Sequence, residues 1–176
     1  MKSTNTKRVH KQTGSSNMEM LFYLILAALV LGGAIALGLK LFNKQTNNGE
    51  QSNVGSLALN VRPLKSGQGY GASGTNLIPQ LIAVDGIPDG LTNSSGAIFN
   101  SWNGTVTVTS TGPAFVLTYT GVPPDACVSL ATKVAKTRAY STKINSGTAV
   151  IGEVDSATAT TNCSTTSNTI AWTISQ

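Results

Sequence analysis

An acidic residue at the edge of a long apolar run is the feature of this sequence with the clearest chemistry. Gly14 ends a basic leader, Glu19 follows five residues later, and the next twenty residues, 20–39, carry no charge. The small residues Ser15 and Ser16 stand before the apolar run, whereas an ordinary secretory signal has its small residues after it, at the cleavage site. Cleavage after Gly14 would therefore keep the apolar segment and expose a new ammonium group at Ser15.

Glu19 has two interpretations. A carboxylate at the edge of an apolar span is costly unless it is paired. In an assembly of such chains, Glu19 of one chain would pair with the ammonium group of Ser15 in a neighbour and set the axial register. Alternatively, Ser16 and Glu19 form a capping box, and an acid in the first turn suits the helix dipole. The two roles are compatible, and both stay open.

Residues for catalysis are scarce. The single histidine, His10, lies in the leader, so the processed chain would lack histidine for acid–base catalysis and for metal binding. The seven acidic residues are scattered, and no nucleophile motif accompanies them. We predict no catalytic, cofactor-binding or metal-binding residues, no cofactor, and a protein that is not an enzyme.

Two cysteines, Cys127 and Cys163, remain as the other reactive groups. An even pair on an exported domain predicts a disulfide. A redox pair usually has C-x-x-C spacing, and a metal site needs more ligands. The bridge would close a loop of about 37 residues, worth roughly 3–4 kcal/mol in the chain-entropy model.

The apolar run has the length of a membrane span. Twenty helical residues rise about 30 Å, the thickness of a bilayer core. Four of the 12 Lys and Arg residues lie in residues 1–14, where they would hold the N-terminus in the cytoplasm. The rest of the chain has 8 Lys and Arg against 7 Asp and Glu, so its charge does not indicate a nucleic-acid partner.

A long N-terminal helix is predicted over residues 15–62. After Lys40 its apolar residues continue at partly helical spacing, and Pro63 marks its end because proline disrupts a helix interior. Asn47-Asn48-Gly49 predicts a bend or break near 47–49. The remaining residues, 63–176, form the predicted globular domain.

The first half of this domain is predicted to be mixed. Residues 77–84 suggest a short helix that Asn76 caps, with Pro79 in its first turn. Strands are predicted from near Phe99, with a hairpin turn at Asn103-Gly104. A second strand would place Phe115, Leu117 and Tyr119 on one face.

The second half predicts a helix and two strands. Asp125 is the expected N-cap of the helix, whose buried face would carry Cys127, Leu130, Ala131 and Val134. Strands are expected at 149–154 and 169–174, with Ile170, Trp172 and Ile174 on one face. The polar segment between the two strands is predicted to be a loop.

The N-terminal pattern resembles the prepilin leader of type IV pilins. Gly14, Glu19 and the apolar helix from Met20 match its three elements. The cysteine pair that encloses a C-terminal region is also similar to these proteins. Three further segments resemble type IVb major pilins, closest to the thin-pilus subunits of conjugative plasmids and enteric pathogens: GQGYG at 67–71, NSWNGTVTV at 100–108, and YTGVP at 119–123 before Cys127.

The resemblance implies an α+β pilin fold, in which a long N-terminal helix with a hydrophobic first half packs on an antiparallel sheet with flanking short helices. A prepilin peptidase would cut between Gly14 and Ser15 and methylate Ser15. An assembly platform with its ATPase would then move the chain from the bacterial inner membrane into a surface pilus, or fimbrium. That pilus is a helical homopolymer that serves adhesion or conjugation.

The alternatives are a minor pilin or secretion pseudopilin, and a single-pass membrane protein with an external binding domain. A membrane-anchored hydrolase is a further rival, which the absence of histidine after the leader disfavours.

Overall fold

The computed structural model describes residues 17–175, except for the side chains of residues 17, 18, 33–40, 42 and 43. The chain divides into two units at Phe42 and Asn43. Its elements in order are helix α1 (Asn17–Val61), a 3-10 turn (Arg62–Leu64), α2 (Ile78–Ala83), β1 (Thr92–Ser94), β2 (Ala97–Phe99), β3 (Thr105–Ser110), β4 (Phe115–Val122), α3 (Pro124–Thr137), β5 (Ser141–Ile144), β6 (Val150–Ile151), α4 (Ser156–Asn162) and β7 (Asn168–Ile174).

The first unit contributes residues 17–42 of α1. Among the described residues, no helix combines the length and the apolar character that a membrane crossing requires. The predicted membrane segment, 20–39, includes residues 33–39, whose side chains lie outside the described part. It stays a prediction.

The second unit is built on a seven-stranded antiparallel sheet of order β1-β2-β3-β4-β7-β5-β6. The last strand of the chain, β7, lies between β4 and β5, where Leu117, Trp172 and Thr142 are aligned across the three strands. The β4–β7 pairing shifts register between Tyr119 and Val122.

One face of the sheet forms the core. Alternate residues of β4 and β7 point to it, because side chains of a strand alternate between its two faces. The predicted sets are all buried there: Phe115, Leu117, Tyr119, Ile170, Trp172 and Ile174. The aromatic rings of Tyr119 and Trp172 meet edge to face with centroids 5.8 Å apart.

Helices cover this face. The C-terminal part of α1 contributes Val54, Leu57 and Val61, whose spacing of three and four residues places them on one stripe. The residues that α3 was predicted to bury are buried: Cys127, Leu130, Ala131 and Val134. The predicted α+β fold, a helix on an antiparallel sheet with short flanking helices, is therefore confirmed.

Three local predictions were wrong, and one strand was not predicted. Strands begin at Thr92, not near Phe99, because β1 is short, polar and exposed and so lacks an alternating pattern. Strand β5 was not predicted, because it has only four residues. Strand β6 covers only two of the six residues predicted at 149–154. The segment predicted as a polar loop contains α4, which starts with the N-cap Asp155 accepting a hydrogen bond from the Thr158 amide at 2.9 Å.

The expected N-cap and the expected bend also differ. Pro123 occupies the N-cap position of α3 and Pro124 starts the helix, because the fixed φ of proline suits the first turn. Asp125 lies in that first turn instead of capping it. Helix α1 continues through 47–49. The low helix propensity of these residues is offset by the burial of Glu50 and Val54 in the next turns of the helix.

Candidate functional site

The start of α1 presents an apolar surface on all sides. Its ten large apolar side chains between residues 20 and 31 are 43% to 70% exposed. A helix that is apolar all round is normally buried in a protein core or in lipid. These residues therefore need an apolar environment: Met20, Leu21, Phe22, Tyr23, Leu24, Ile25, Leu26, Leu29, Val30 and Leu31.

Two of the predicted processing residues, Gly14 and Ser15, lie outside the described residues, as does Ser16. Glu19 lies in the first turn of α1 and is exposed. Its pairing with an ammonium group of a neighbouring chain and its role in a capping box both stay predictions.

The predicted cysteine pair is a disulfide. Cys127 lies in the first part of α3 and Cys163 directly follows α4, with Cα atoms 5.8 Å apart. Both residues are buried. The bond therefore fixes α4 and the approach to β7 against α3. Within the described residues, no group of three or more His, Cys, Asp and Glu side chains is arranged to hold a metal ion.

A buried carboxylate, which the sequence analysis missed, connects α1 to the sheet. Glu50 has no exposed surface. Its Oε1 accepts a hydrogen bond from the Ser101 amide at 2.7 Å and a second, short one from the Ser101 hydroxyl. Its Oε2 accepts from the Asn53 side-chain amide at 3.2 Å. Charge-assisted bonds of this kind are about twice as strong as neutral ones.

Tyr119 lies beside this carboxylate in the core. Burial raises the pKa of its phenol far above the usual range, and the negative charge of Glu50 raises that pKa further. The phenol has no hydrogen bond of normal geometry among the described residues. The buried site thus favours the protonated phenol.

The loop that receives Glu50 is itself rigid. The Asn100 side chain accepts bonds from the amides of Trp102 and Gly104 at 3.0 and 2.9 Å and donates to the Thr120 carbonyl at 2.8 Å. A Cβ on Gly104 would overlap that same carbonyl. The predicted hairpin connects β2 and β3 here: Asn103 has φ of 60°, in the left-handed region, but Gly104 lacks the positive φ that a two-residue Asn-Gly turn also requires.

The role of Glu50 was detectable in principle. It precedes Val54 by four residues and Leu57 by seven, so it lies on the apolar stripe of α1. An acid on such a stripe predicts a buried hydrogen-bonded carboxylate. Its partner Ser101 lies 51 residues away in a loop, and sequence spacing does not indicate that contact.

Comparisons with known proteins agree with this architecture. Residues 44–175 match the family model described as PilS N terminal. The fold is similar to the crystal structure of type IV b pilin from Salmonella typhi, with a TM-score of 0.59 and 26% sequence identity over 70% of this chain and 95% of that one. A comparison with curated proteins found no match.

The family match covers most of the chain, including the whole sheet, α3 and the disulfide that the sequence predicted. The structural match covers nearly all of the Salmonella protein and is consistent with it. The chain belongs to the PilS family of type IVb pilins.

Proposed function

We propose that this chain is the major subunit of a type IVb pilus, a surface filament for adhesion or conjugative mating contact. Family membership supports a structural subunit that polymerises with the help of assembly machinery. The observation that carries the proposal is the apolar surface of residues 20–31, which is exposed on every side.

Burying that surface between subunits would drive polymerisation. Because the chain would first be inserted in lipid, the gain would come from packing of the helices against one another and not from removal of apolar area from water. The proposed route is insertion into the inner membrane with the leader in the cytoplasm, then extraction into a filament whose core is made of these helices. The second units would form the outer wall.

Processing would prepare the subunit for this core. Cleavage between Gly14 and Ser15 would remove the basic leader, whose charges are incompatible with an apolar filament core. The ammonium group of Ser15, with or without a methyl group, would then neutralise Glu19 of a neighbouring subunit. The pair would set the position of one subunit along the filament relative to the next.

The proposal is tested by mass spectrometry of the N-terminus. The two samples are protein sheared from the cell surface and protein from the membrane fraction. We expect abundant sheared protein that begins at Ser15, heavier by one methyl group. Protein found only in membranes and still beginning at Met1 would refute the proposal and favour the anchored binding protein. Processed protein in trace amounts would favour a minor pilin.

Glu19→Val separates processing from assembly. We expect cleavage after Gly14 to continue, because Glu19 is not part of the Gly14–Ser15 peptide bond that is cut. The amount of sheared filament should fall about tenfold or more, since an unpaired buried ammonium group is costly. The measurement is immunoblotting of sheared and membrane fractions. Normal piliation would mean that Glu19 acts only as a helix cap. Glu19→Gln is the matched variant, because it removes the charge and keeps the size of the side chain.

A further inference from the structure

A polar groove lies between α1 and the C-terminal end of α3. Its volume is about 480 Å³, and its walls include Gln51, Ser52, Ser56 and Thr137. Arg138 closes one end, with its Nε 3.5 Å from the position that a Cβ on Gly55 would occupy. The glycine thus leaves room for the guanidinium group against the helix.

Arg138 carries the one charge among the residues that line this groove. None of its lining residues is acidic, and among the described residues Arg138 has no ion pair. Lys133 lies one turn before Thr137 on the same face of α3, and Lys136 follows. A half-buried guanidinium among neutral polar groups is suited to a carboxylate, which it can bind through two parallel hydrogen bonds.

An acidic loop lies against another face of α1. Residues 84–90 contain Asp85 and Asp89, both exposed, and no basic residue. Val84 beside them is 58% exposed. The Asn60 side chain donates to the Gly86 carbonyl at 2.9 Å and fixes the loop against α1. Such a preformed loop loses little conformational entropy on binding.

The groove and the loop face different ways from the same helix. Asn53 and Asn60, seven residues apart, share the face toward the loop, and the Asn53 amide packs against Gly90. Ser52, Gly55 and Leu59 share the face toward the groove. The buried stripe of α1 separates these two faces, so one chain cannot satisfy its own groove with its own loop.

We propose that the acidic loop, residues 84–90, of one subunit docks in the groove beside Arg138 of a second copy of this chain. Asp85 pairs with the guanidinium group, and Val84 contacts Leu59, which is 42% exposed. Two different surfaces on opposite sides of one chain make a heterologous contact, which continues into an open helical filament unless a rotation closes it. This inference rests on the proposed polymerisation and assigns a specific contact to it.

The first test reverses one charge and then its partner, in the full-length chain expressed in piliated cells. Arg138→Glu should lower the yield of sheared filament about tenfold or more, because it places like charges together. Adding Asp85→Arg to the same chain should restore most of the yield. Lys143→Glu is the matched control, since it makes the same charge change at an exposed residue of β5 outside the groove.

The result has two clear refutations. Arg138→Glu cells that are as piliated as Lys143→Glu cells would overturn the docking, and so would a loss that Asp85→Arg does not repair. Absence of filaments from the unmodified chain would instead refute the proposed function itself. Processing to Ser15 and formation of the Cys127–Cys163 disulfide report that the variant chain is inserted and folded.

Cross-linking provides a second measurement that does not depend on charge reversal. Two chains are expressed together, one with Asp85→Cys and the other with Arg138→Cys. Oxidised filaments should yield a mixed dimer on a non-reducing gel. Glu153→Cys in place of Asp85→Cys is the control, because Glu153 is an exposed acid outside the loop. A dimer yield no higher than that of the control overturns the contact.

Discussion

Glu50 offers the sharpest test of how α1 is held on the sheet. The perturbation is Glu50→Gln, which keeps the size of the side chain and one acceptor oxygen but removes the charge. Ser101 donates twice to the carboxylate, through its amide and its hydroxyl, and Asn53 donates once. The neutral amide can still accept a hydrogen bond from Ser101. Its NH₂ group, however, faces the Asn53 NH₂ group, which donates to Oε2 of Glu50 in the wild type.

The expected cost follows from these three contacts. A hydrogen bond to a charged group contributes about 1.5–3 kcal/mol, against about 0.5–1.5 kcal/mol for a neutral one. In Glu50→Gln the bonds from Ser101 become neutral, and the new NH₂ group meets the NH₂ group of Asn53, so that two donors face each other. Together these changes should cost about 2 kcal/mol in free energy of unfolding. Glu50→Ala should cost more, about 3–4 kcal/mol, because it also leaves the Ser101 amide unpaired in a fully buried site.

Thermal unfolding of the full chain in mild detergent measures this cost. Near-ultraviolet circular dichroism, to which the buried Tyr119 and Trp172 contribute, follows the loss of the packed core. For a domain of this size, 1 kcal/mol shifts Tm by roughly 3 °C, so Glu50→Gln should lower Tm by about 6 °C. Glu153→Gln makes the same chemical change at an exposed position and should stay within about 0.5 kcal/mol of wild type.

The outcome that would contradict this reasoning is a Glu50→Gln chain as stable as Glu153→Gln. The charge of Glu50 would then add nothing beyond a neutral acceptor, because its desolvation would cancel its bonds. A large loss in Glu50→Ala with none in Glu50→Gln would show that packing alone matters.

Further predictions concern the Tyr119 phenol, the disulfide and two glycines. Because burial raises the pKa of Tyr119, its phenol ionises at a lower pH in the unfolded chain than in the folded one. The free energy of unfolding should therefore be constant below pH about 10 and fall above it. Tyr119→Phe should reduce that alkaline loss in thermal scans. Replacing Cys127 and Cys163 by serine should cost about 3–4 kcal/mol in denaturant unfolding. Gly104→Ala should cost about 2 kcal/mol or more through overlap with the neighbouring strand, whereas Gly49→Ala, with open space around its Cβ, should gain up to about 1 kcal/mol in the same assay.

The fold was predictable where the pattern is strong. The alternation of Ile170, Trp172 and Ile174 identified β7, and the spacing of Cys127, Leu130 and Val134 identified the buried face of α3. These patterns hold because one face of each element is buried and the other is not. Pilins are structural proteins, so the family also confirms that the chain is not an enzyme.

The fold was not predictable where tertiary contacts override local preference. Helix α4 is made of Ser, Ala, Thr and Asn, a composition with low helix propensity, and it forms between the Asp155 cap and the Cys163 disulfide. The partner Ser101 of Glu50 and the α1 residues that line the groove beside Arg138 come from distant segments, so both sites emerge only from the packed structure. The motif at Gly14 and Glu19 is local, which is why the sequence alone predicts it.

The position of β7 has a consequence for the life of the chain. This strand follows the other six described strands along the chain, yet it lies between β4 and β5 and joins the two halves of the sheet. The second unit cannot complete its core before β7 has been synthesised, since non-local strands pair only after the chain is available. A stop codon near residue 168 would therefore remove the centre of the sheet, not a dispensable tail. Synthesis of the chain through β7 becomes a condition for having a folded subunit at all.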